Sequence, residues 1–265
     1  MGLWLPSSRT LLFANNLPAT PSASQWGTRA TASATPHTKG SWAQVVASMP
    51  FDAYGFWLFW GGTSTTTTRT DQLMDIGFGT TVVIPDLLTG WTSSNQLYIP
   101  LFIPKGTQVQ IRIQALIASD TIDCQFHFLG GPALPPFAPY VGCDAYGIAT
   151  ASSQGSTHTP GDTGAESAWA SIGSTLSRDY SGVLMMQGGV FSGTAMTAIA
   201  YHWEVGYSST TLAEWYAIGN TSEILLKSIP GLVVEVPLPA GTQLQVRGEA
   251  SGTAQAYDVA LYCFY

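Results

Sequence analysis

The chain has 265 residues, of which 45% are hydrophobic and only 9% are charged, against roughly 25% charged residues in an average globular protein. This composition excludes a disordered chain, because there is ample apolar surface to bury and little charge to keep the chain solvated. The net charge of -7 and the scattered cations argue against nucleic acid as a partner. A surface so poor in charge is typical of a protein that lies against other protein.

Residues 1–26 are predicted to form an extended N-terminal arm, because apolar residues are interrupted there by polar residues and prolines. The segment lacks the basic start of a signal peptide, and no stretch of the chain has the 18 apolar residues of a membrane span. Such an arm cannot bury its own apolar groups, so we expect it to pack on a domain or, by preference, on a neighbouring subunit. The apolar residues of this assembly arm are Leu3, Trp4, Leu5, Leu11, Leu12 and Phe13.

An internal similarity divides the rest of the chain into two copies. Equivalent residues include Trp42 and Trp169, Asp52 and Asp179, Asp75 and Glu204, and Pro104 and Pro239. The offset between equivalent residues drifts from 127 to 129 to 135, as expected when insertions accumulate in loops. The sequence therefore predicts repeats at 27–131 and 147–265, joined by a Pro- and Gly-rich linker at 132–146.

The periodicity within each copy indicates β-strands. Residues 108–114 alternate polar and apolar side chains, as in a half-buried strand. The unbroken apolar runs at 54–60 and 183–186 are typical of strands buried on both faces. Only residues 43–47 and 208–218 resemble helices, and both are marginal. We therefore predict two tandem antiparallel β-sandwich domains, of either jelly-roll or immunoglobulin-like topology.

The sequence carries few of the residue patterns that catalysis requires. It lacks the common nucleophile, metalloprotease and phosphate-binding motifs, and its isolated histidines are predicted to be structural. The neighbouring carboxylates Asp71 with Asp75 and Asp120 with Asp123 favour turn formation over acid-base chemistry or a calcium site. We predict a protein that is not an enzyme and has no cofactor or metal. A depolymerase that uses carboxylates from separate loops is the third hypothesis, after a structural role and a ligand-binding role.

Three cysteines, Cys124, Cys143 and Cys263, show neither the pairing nor the spacing of a disulfide framework or a zinc site. They are predicted to be buried free thiols.

Tryptophans offer the clearest candidates for a ligand site, because indole rings stack on sugars. Trp57 and Trp60 lie in an apolar run and favour a core or a subunit interface. Trp91 and Trp215 lie in more polar surroundings and are the candidate ligand-stacking residues.

A resemblance to a known group of proteins rests on four segments of the first copy. They are W-A-Q-V-V-A-S-M-P-F-D-A-Y-G-F-W at 42–57, D-I-G-F-G at 75–79, V-V-I-P-D-L-L at 82–88 and Y-I-P-L-F-I-P-K-G-T-Q-V at 98–109. These segments resemble virion components of tailed bacteriophages, strongly over the first copy and weakly over the second. The group carries no catalytic residues to transfer, and the resemblance implies a structural protein of the head, neck or tail.

Together these patterns predict a non-enzymatic structural component of a phage particle, such as a capsid decoration or fibre, neck or tail protein. Its partners would be other virion proteins and further copies of itself, in a trimer or hexamer assembled in the host cytoplasm. The alternative is a receptor-binding or carbohydrate-binding module of the virion, with a host surface glycan as ligand.

Overall fold

The computed structural model describes residues 12–15, 27–62, 72–89, 95–130, 140–190, 200–219, 226–228, 232–252 and 256–265. These residues form antiparallel β-structure with no α-helix and one short 3-10 helix, Thr150–Ser152. None of the helical structure in these ranges has the length and apolar character needed to span a membrane. The chain is therefore an all-β protein, as its sequence predicts.

The first half of the chain forms two sheets. Its strands are β1 (Leu12–Asn15), β2 (Thr28–Thr31), β3 (Ala43–Val46), β4 (Ala53–Gly62), β5 (Gln72–Phe78), β6 (Thr81–Leu88), β7 (Asn95–Ile99), β8 (Val109–Ala115) and β9 (Thr121–Gly130). In the first A sheet, β9 pairs with β1 and β2 on one side and with β4 on the other, and β7 follows β4. The first B sheet has the order β3-β8-β5-β6.

The second half repeats this arrangement. Its strands are β10 (Cys143–Tyr146), β11 (Ile148–Ala149), β12 (Gln154–His158), β13 (Ala170–Ser171), β14 (Tyr180–Val190), β15 (Ala200–Tyr207), β16 (Thr210–Gly219), β17 (Leu226–Ser228), β18 (Val234–Leu238), β19 (Gln245–Ala250) and β20 (Tyr257–Phe264). The second A sheet has the order β11-β12-β20-β14-β18, with β10 also on β20. The second B sheet has the order β13-β19-β15-β16-β17.

The strand order decides between the two topologies that the sequence left open. Counting from β2, the first half places strands 1-8-3-6 in one sheet and 2-7-4-5 in the other. The second half has the same order from β12, once β17 is set aside as an addition to the sheet edge. Eight strands in two sheets, with the first and last strands as neighbours, form a jelly roll, whereas an immunoglobulin sandwich pairs its first two strands. The chain is a tandem double jelly roll.

The duplication extends to the pairing register of the strands. Phe56 pairs with Ile99 in the first half as Val183 pairs with Val234 in the second. In the same way, Gly55 pairs with Leu129 as Gly182 pairs with Phe264. Asp75 pairs with Arg112 as Glu204 pairs with Arg247. A slip of one residue would move every side chain to the other face of its sheet. Any residue of one half can therefore be compared directly with its counterpart in the other.

The same turn precedes the seventh strand of both jelly rolls, β8 and β19. Gly106 and Gly241 have φ of +86° and +79°, a region that favours glycine. Asp52 accepts a hydrogen bond from the backbone N–H of Lys105 at 2.7 Å, and its counterpart Asp179 accepts one from the equivalent Ala240 at 2.7 Å. These carboxylates fasten the turn to the central strand of each A sheet.

Two segments expected outside the sandwiches contain strands. β1 lies within the expected arm and β10 within the expected linker, and they are equivalent, because Ala14 pairs with Phe128 as Asp144 pairs with Cys263. β1 thus pairs within its own chain at Leu12–Asn15. The side chains of Leu12 and Phe13 are not described, and Leu3, Trp4, Leu5 and Leu11 lie outside the described residues.

Both marginal helices are strands in the structure. Residues 43–46 form β3, and residues 210–218 lie in β16. Apolar residues at every second position in these segments face a sandwich interior, and this tertiary burial outweighs a weak helical preference.

All three cysteines are buried and free, as predicted. Burial raises the pKa of Cys263 to about 12, and it also raises the pKa values of Cys124 and Cys143. Such thiols behave as small apolar core residues.

Candidate functional site

The two jelly rolls pack face to face, with the first B sheet against the second A sheet. Tyr262 on β20 is fully buried there. Its hydroxyl donates to the backbone oxygen of Asp86 at 2.7 Å and accepts from the backbone N–H of Leu88 at 2.8 Å. One side chain of the second half thus satisfies two backbone groups of β6 in the first half.

Asp86 has an unusual conformation at this contact. Its φ is +50°, in the left-handed region that non-glycine residues rarely adopt, and it lies at a bulge between β5 and β6. Its N–H donates to Asp75 at 2.9 Å, and its carboxylate pairs with Lys39 at 2.6 Å. Together with the bond from Tyr262, these contacts hold the bulge in place.

Further contacts extend this interface beyond β6. The side-chain amide of Gln114 donates to the Thr150 backbone oxygen at 2.7 Å and to the Ser153 hydroxyl at 3.0 Å. His37 Nδ1 lies 3.0 Å from the same hydroxyl. Residues of β10, β14 and β20 also join the apolar core of the first half: Cys143, Leu184, Met186, Ala260, Tyr262 and Phe264. The second A sheet is consequently buried on both faces.

Replacing Tyr262 with Phe should lower the free energy of unfolding by about 1 to 3 kcal/mol, because it removes the partner of the buried Leu88 N–H and of the partly buried Asp86 oxygen. Chemical denaturation with urea measures this loss. The matched control is Tyr207→Phe, at an exposed tyrosine where we expect a change within about 0.5 kcal/mol. Equal effects of the two substitutions would contradict the role given to the Tyr262 hydroxyl.

The equivalent face of the first A sheet carries a strip of aromatic rings that the described residues leave half-buried. Trp57, Phe59, Tyr98 and His127 form this aromatic strip. Trp57 lies 5.4 Å from Tyr98 and 6.4 Å from Phe59 between ring centroids, and Phe59 lies 5.0 Å from His127. Their counterparts Leu184, Met186, Val233 and Tyr262 all pack at the contact between the two halves.

Each B sheet carries one ion pair beneath a tryptophan. In the first half, Arg112 pairs with the buried Asp75 at 2.8 Å and lies 4.6 Å from the ring centroid of Trp42. In the second half, Arg247 pairs with the buried Glu204 at 2.8 Å and lies 4.6 Å from Trp169. The identical layout indicates that this ion pair is a structural element of the duplicated sheet.

The surroundings of the two ion pairs differ in charge. Lys39 gives Asp75 a second cation at 2.7 Å, whereas its counterpart is an acid, Glu166, which pairs with Arg247. Burial opposes ionisation of Glu204, but hydrogen bonds from Thr211 and Arg247 outweigh it and lower its pKa. The pKa of Glu166 is raised, first by desolvation of its carboxyl group and then by its hydrogen bond with Glu204 and the negative charge of Glu204.

The second B sheet presents rings and acids on its outer face. His202 stacks on Tyr216 with ring centroids 4.5 Å apart and planes 9° apart, and Tyr216 is 54% exposed. Glu214 and Glu249 lie 3.4 Å and 3.5 Å from the nitrogens of His202. This face combines a flat stacked pair with negative charge.

One group on this face has ligand atoms close enough for a metal ion, since atoms of His202, Glu204 and Glu214 lie within 4.8 Å of one another. The Glu204 carboxylate, however, already accepts hydrogen bonds from Arg247 and Thr211. A positively charged guanidinium at this carboxylate opposes a second cation there.

Trp215, expected to be exposed and to stack on a ligand, is instead buried in the structure. It is 8% exposed and packs in the apolar core of the second jelly roll, where its ring offers no face to a ligand. The exposed aromatic residue is the next one, Tyr216, because neighbouring side chains point to opposite faces of a strand. Trp91, the other candidate, lies outside the described residues.

The neighbouring carboxylates serve structural contacts. Asp120 accepts hydrogen bonds from Thr121 N–H at 2.9 Å and from Gln72 at 3.3 Å, while burial raises its pKa. Asp123 accepts two bonds from Arg29, at 2.7 and 2.8 Å. Asp71 lies outside the described residues.

A groove of about 610 Å³ runs along the connection from β2 to β3, and its lining includes Arg29 and Lys39. Both cations are already paired, Arg29 with Asp123 and Lys39 with Asp75. The groove therefore offers little unpaired charge to a ligand.

Comparison with known proteins finds no matching family model and no matching curated protein. Among solved structures, PNGF-II is similar over 95% of this chain and 64% of its own, with 9% identity and a TM-score of 0.41; a second crystal form has a TM-score of 0.40. The chain thus spans less than two thirds of PNGF-II. The STIV MCP, a viral major capsid protein, is similar over 96% of both chains, with 9% identity and a TM-score of 0.34.

Proposed function

We propose that this chain is a non-enzymatic structural component of a virus particle and acts by assembling with further copies of itself. The observation that carries the proposal is the contact between its two jelly rolls. Inside one chain, the B sheet of one jelly roll covers the A sheet of the next, and this leaves one A sheet and one B sheet at the two ends. A module that already packs on its own duplicate is suited to repeated assembly.

The chemistry of the described residues supports a structural role. Three of their buried carboxylates, Asp75, Asp123 and Glu204, are paired with arginine or lysine. Asp120 and Asp258 instead accept hydrogen bonds from neighbouring residues. The low charge of the chain and the aromatic strip fit a protein whose surfaces lie against other proteins.

The finer proposal is a tailed-bacteriophage particle, with a decoration or fibre, neck or tail position, based on the resemblance of 42–109 to such virion components. A trimer would present six similar jelly rolls and match a partner of sixfold or pseudo-sixfold symmetry. Its partners would be other virion proteins, and it would assemble in the host cytoplasm.

Native mass spectrometry of the purified chain, together with peptide mass spectrometry of density-purified particles of the encoding virus, tests this function. We expect a closed oligomer, trimer or hexamer, and peptides of this chain among the abundant particle proteins. A chain that stays monomeric and is missing from infectious particles would refute the proposal.

A receptor-binding or carbohydrate-binding role on the virion is the second candidate, because the half-exposed Trp57 and Tyr98 could stack on sugar rings. A glycan screen distinguishes it. This role would be favoured over the structural one if the chain stays monomeric, binds a glycan, and loses that binding in Trp57→Ala.

A further inference from the structure

We propose that the second B sheet of one chain docks on the aromatic strip of another copy of the same chain, repeating between chains the contact that joins the two halves within one. This inference rests on the proposed assembly function and identifies its surfaces and its partner. It follows from the register equivalence of the two jelly rolls.

The A-sheet side of the interface follows from what covers each copy. In the second half, Leu184, Met186 and Tyr262 are buried because the first B sheet lies on them. In the first half, the same positions hold Trp57, Phe59 and His127, and the described residues leave them half-buried. An aromatic face at these positions is suited to the same kind of cover, because Trp, Tyr and Phe are enriched where proteins meet.

The hydrophobic pattern of β4 leads to the same conclusion. Residues 54–60 form an unbroken apolar run, which is typical of a strand buried on both faces. In the structure, Phe56, Leu58 and Trp60 face the sandwich interior, whereas Trp57 and Phe59 face outward. The equivalent strand β14 is covered on one face by its own jelly roll and on the other face by the first half of the chain. A second copy would complete the burial that the sequence of β4 implies.

The B-sheet side is equivalent in the same way. On the first B sheet, Leu73 lies between Leu88 and Gln114, and these residues face the second A sheet. On the second B sheet, His202 lies between Tyr216 and Glu249 in the same register. The stacked pair of His202 and Tyr216 therefore occupies the position from which Leu73 and Leu88 contact the other half.

Docking would place specific groups together. Tyr262 bonds to the backbone of Asp86 and Leu88 within the chain. The counterpart of Tyr262 is His127, and those of Asp86 and Leu88 are Glu214 and Tyr216. Docking would therefore place His127 of one copy opposite β16 of the next, as Tyr262 lies opposite β6 within the chain.

The N-terminal strand lies at the same interface. β10 contacts β6 across the two halves, and β1 is the equivalent of β10. β1 would therefore contact β16 of the next chain while remaining paired with its own β9. An arm in this position assists assembly without exchanging between subunits.

The interface joins two different faces, so it is head-to-tail. Head-to-tail contacts close into rings when the rotation permits, and every chain then offers one donor and one acceptor face. This geometry has a consequence that a self-complementary dimer lacks. A chain with one damaged face can still bind through the other.

The test uses Trp57→Asp on the aromatic strip and Tyr216→Asp on the second B sheet, in the full chain. Each variant alone should be monomeric in native mass spectrometry. An equimolar mixture should form a heterodimer that grows no further, because only one intact interface can form. Tyr207→Asp, at an exposed tyrosine on the hairpin between β15 and β16, should assemble as the unmodified chain does.

The milder variants Trp57→Ala and Tyr216→Ala guard against misfolding, and each should weaken association at least about tenfold. Heterodimer formation also demonstrates that both aspartate variants are folded. The proposed interface would be wrong if both aspartate variants still formed the oligomer of the unmodified chain, or if only one of them failed to form it. Either result would leave the assembly function in place. A monomeric unmodified chain would instead count against the proposed function itself.

Discussion

Replacing Arg247 with Met should lower the free energy of unfolding by about 2 to 4 kcal/mol. Glu204 is 5% exposed, and Arg247 is its cationic partner among the described residues. Breaking a fully buried pair by removing one partner costs about 3 to 5 kcal/mol, and we expect less here because Arg247 is partly exposed. The loss of Arg247 would also leave Glu166 beside an unpaired carboxylate of the same charge.

The duplicated fold supplies a matched control in Arg112→Met. This substitution also removes an arginine from a buried acid and from a tryptophan ring at the same 4.6 Å distance. Asp75 nevertheless keeps Lys39 at 2.7 Å, so we expect about half the loss seen for Arg247→Met. The difference between the two variants isolates the second cation.

Urea unfolding of both variants under identical conditions measures the difference. Adding Lys39→Met to Arg112→Met should bring the loss in the first half up to that of Arg247→Met. Equal losses in the two single variants would show that Lys39 does not compensate for the missing arginine.

Periodicity predicted the strands because burial on one face leaves a direct mark on the sequence. The alternation at 108–114 became β8, with Val109, Ile111 and Ile113 in the core. The internal offsets predicted that Asp75 is equivalent to Glu204, and the strand register confirms this equivalence, but the ion pairs with Arg112 and Arg247 are not predicted by the sequence. Comparison of charged residues at equivalent positions would have found them.

Other features depend on long-range pairing that no local pattern records. The four-residue strands β1 and β10 lie in segments rich in proline and glycine or polar residues, and they are ordered by β9 and β20. Tyr262 could not be identified as an interface residue, because its partners Asp86 and Leu88 are more than 170 positions away. Trp215 points inward because alternate residues of β16, Ala213 and Trp215, face the core. The polar residues near Trp215 in the sequence did not indicate this alternation.

The second large effect concerns an indole that the two cores hold in different sheets. The first half has Trp60 on β4 and Met74 on β5, both buried. The second half has Gln187 and Trp203 at the equivalent positions, and the Trp203 indole donates to Gln187 at 2.7 Å. The volume of one tryptophan has therefore moved across the sandwich between the two copies.

Trp203→Met should lower the free energy of unfolding by about 3 to 5 kcal/mol, because it leaves a cavity and removes the partner of Gln187. Gln187→Trp alone should cost about 1 to 3 kcal/mol, because two indoles would compete for one space. The double variant reproduces the arrangement of the first core and should recover at least about 2 kcal/mol of the summed loss.

A double-mutant cycle from urea unfolding measures this coupling. The cycle is informative because the first jelly roll demonstrates that the exchanged pair fits the same fold, with the Trp60 indole donating to the Thr89 backbone oxygen at 3.1 Å. In the second half, Gln187→Trp must find an equivalent acceptor, so recovery should be large but incomplete. Strictly additive losses would mean that the two cores have diverged too far to exchange this pair, and that their shared register no longer implies shared packing.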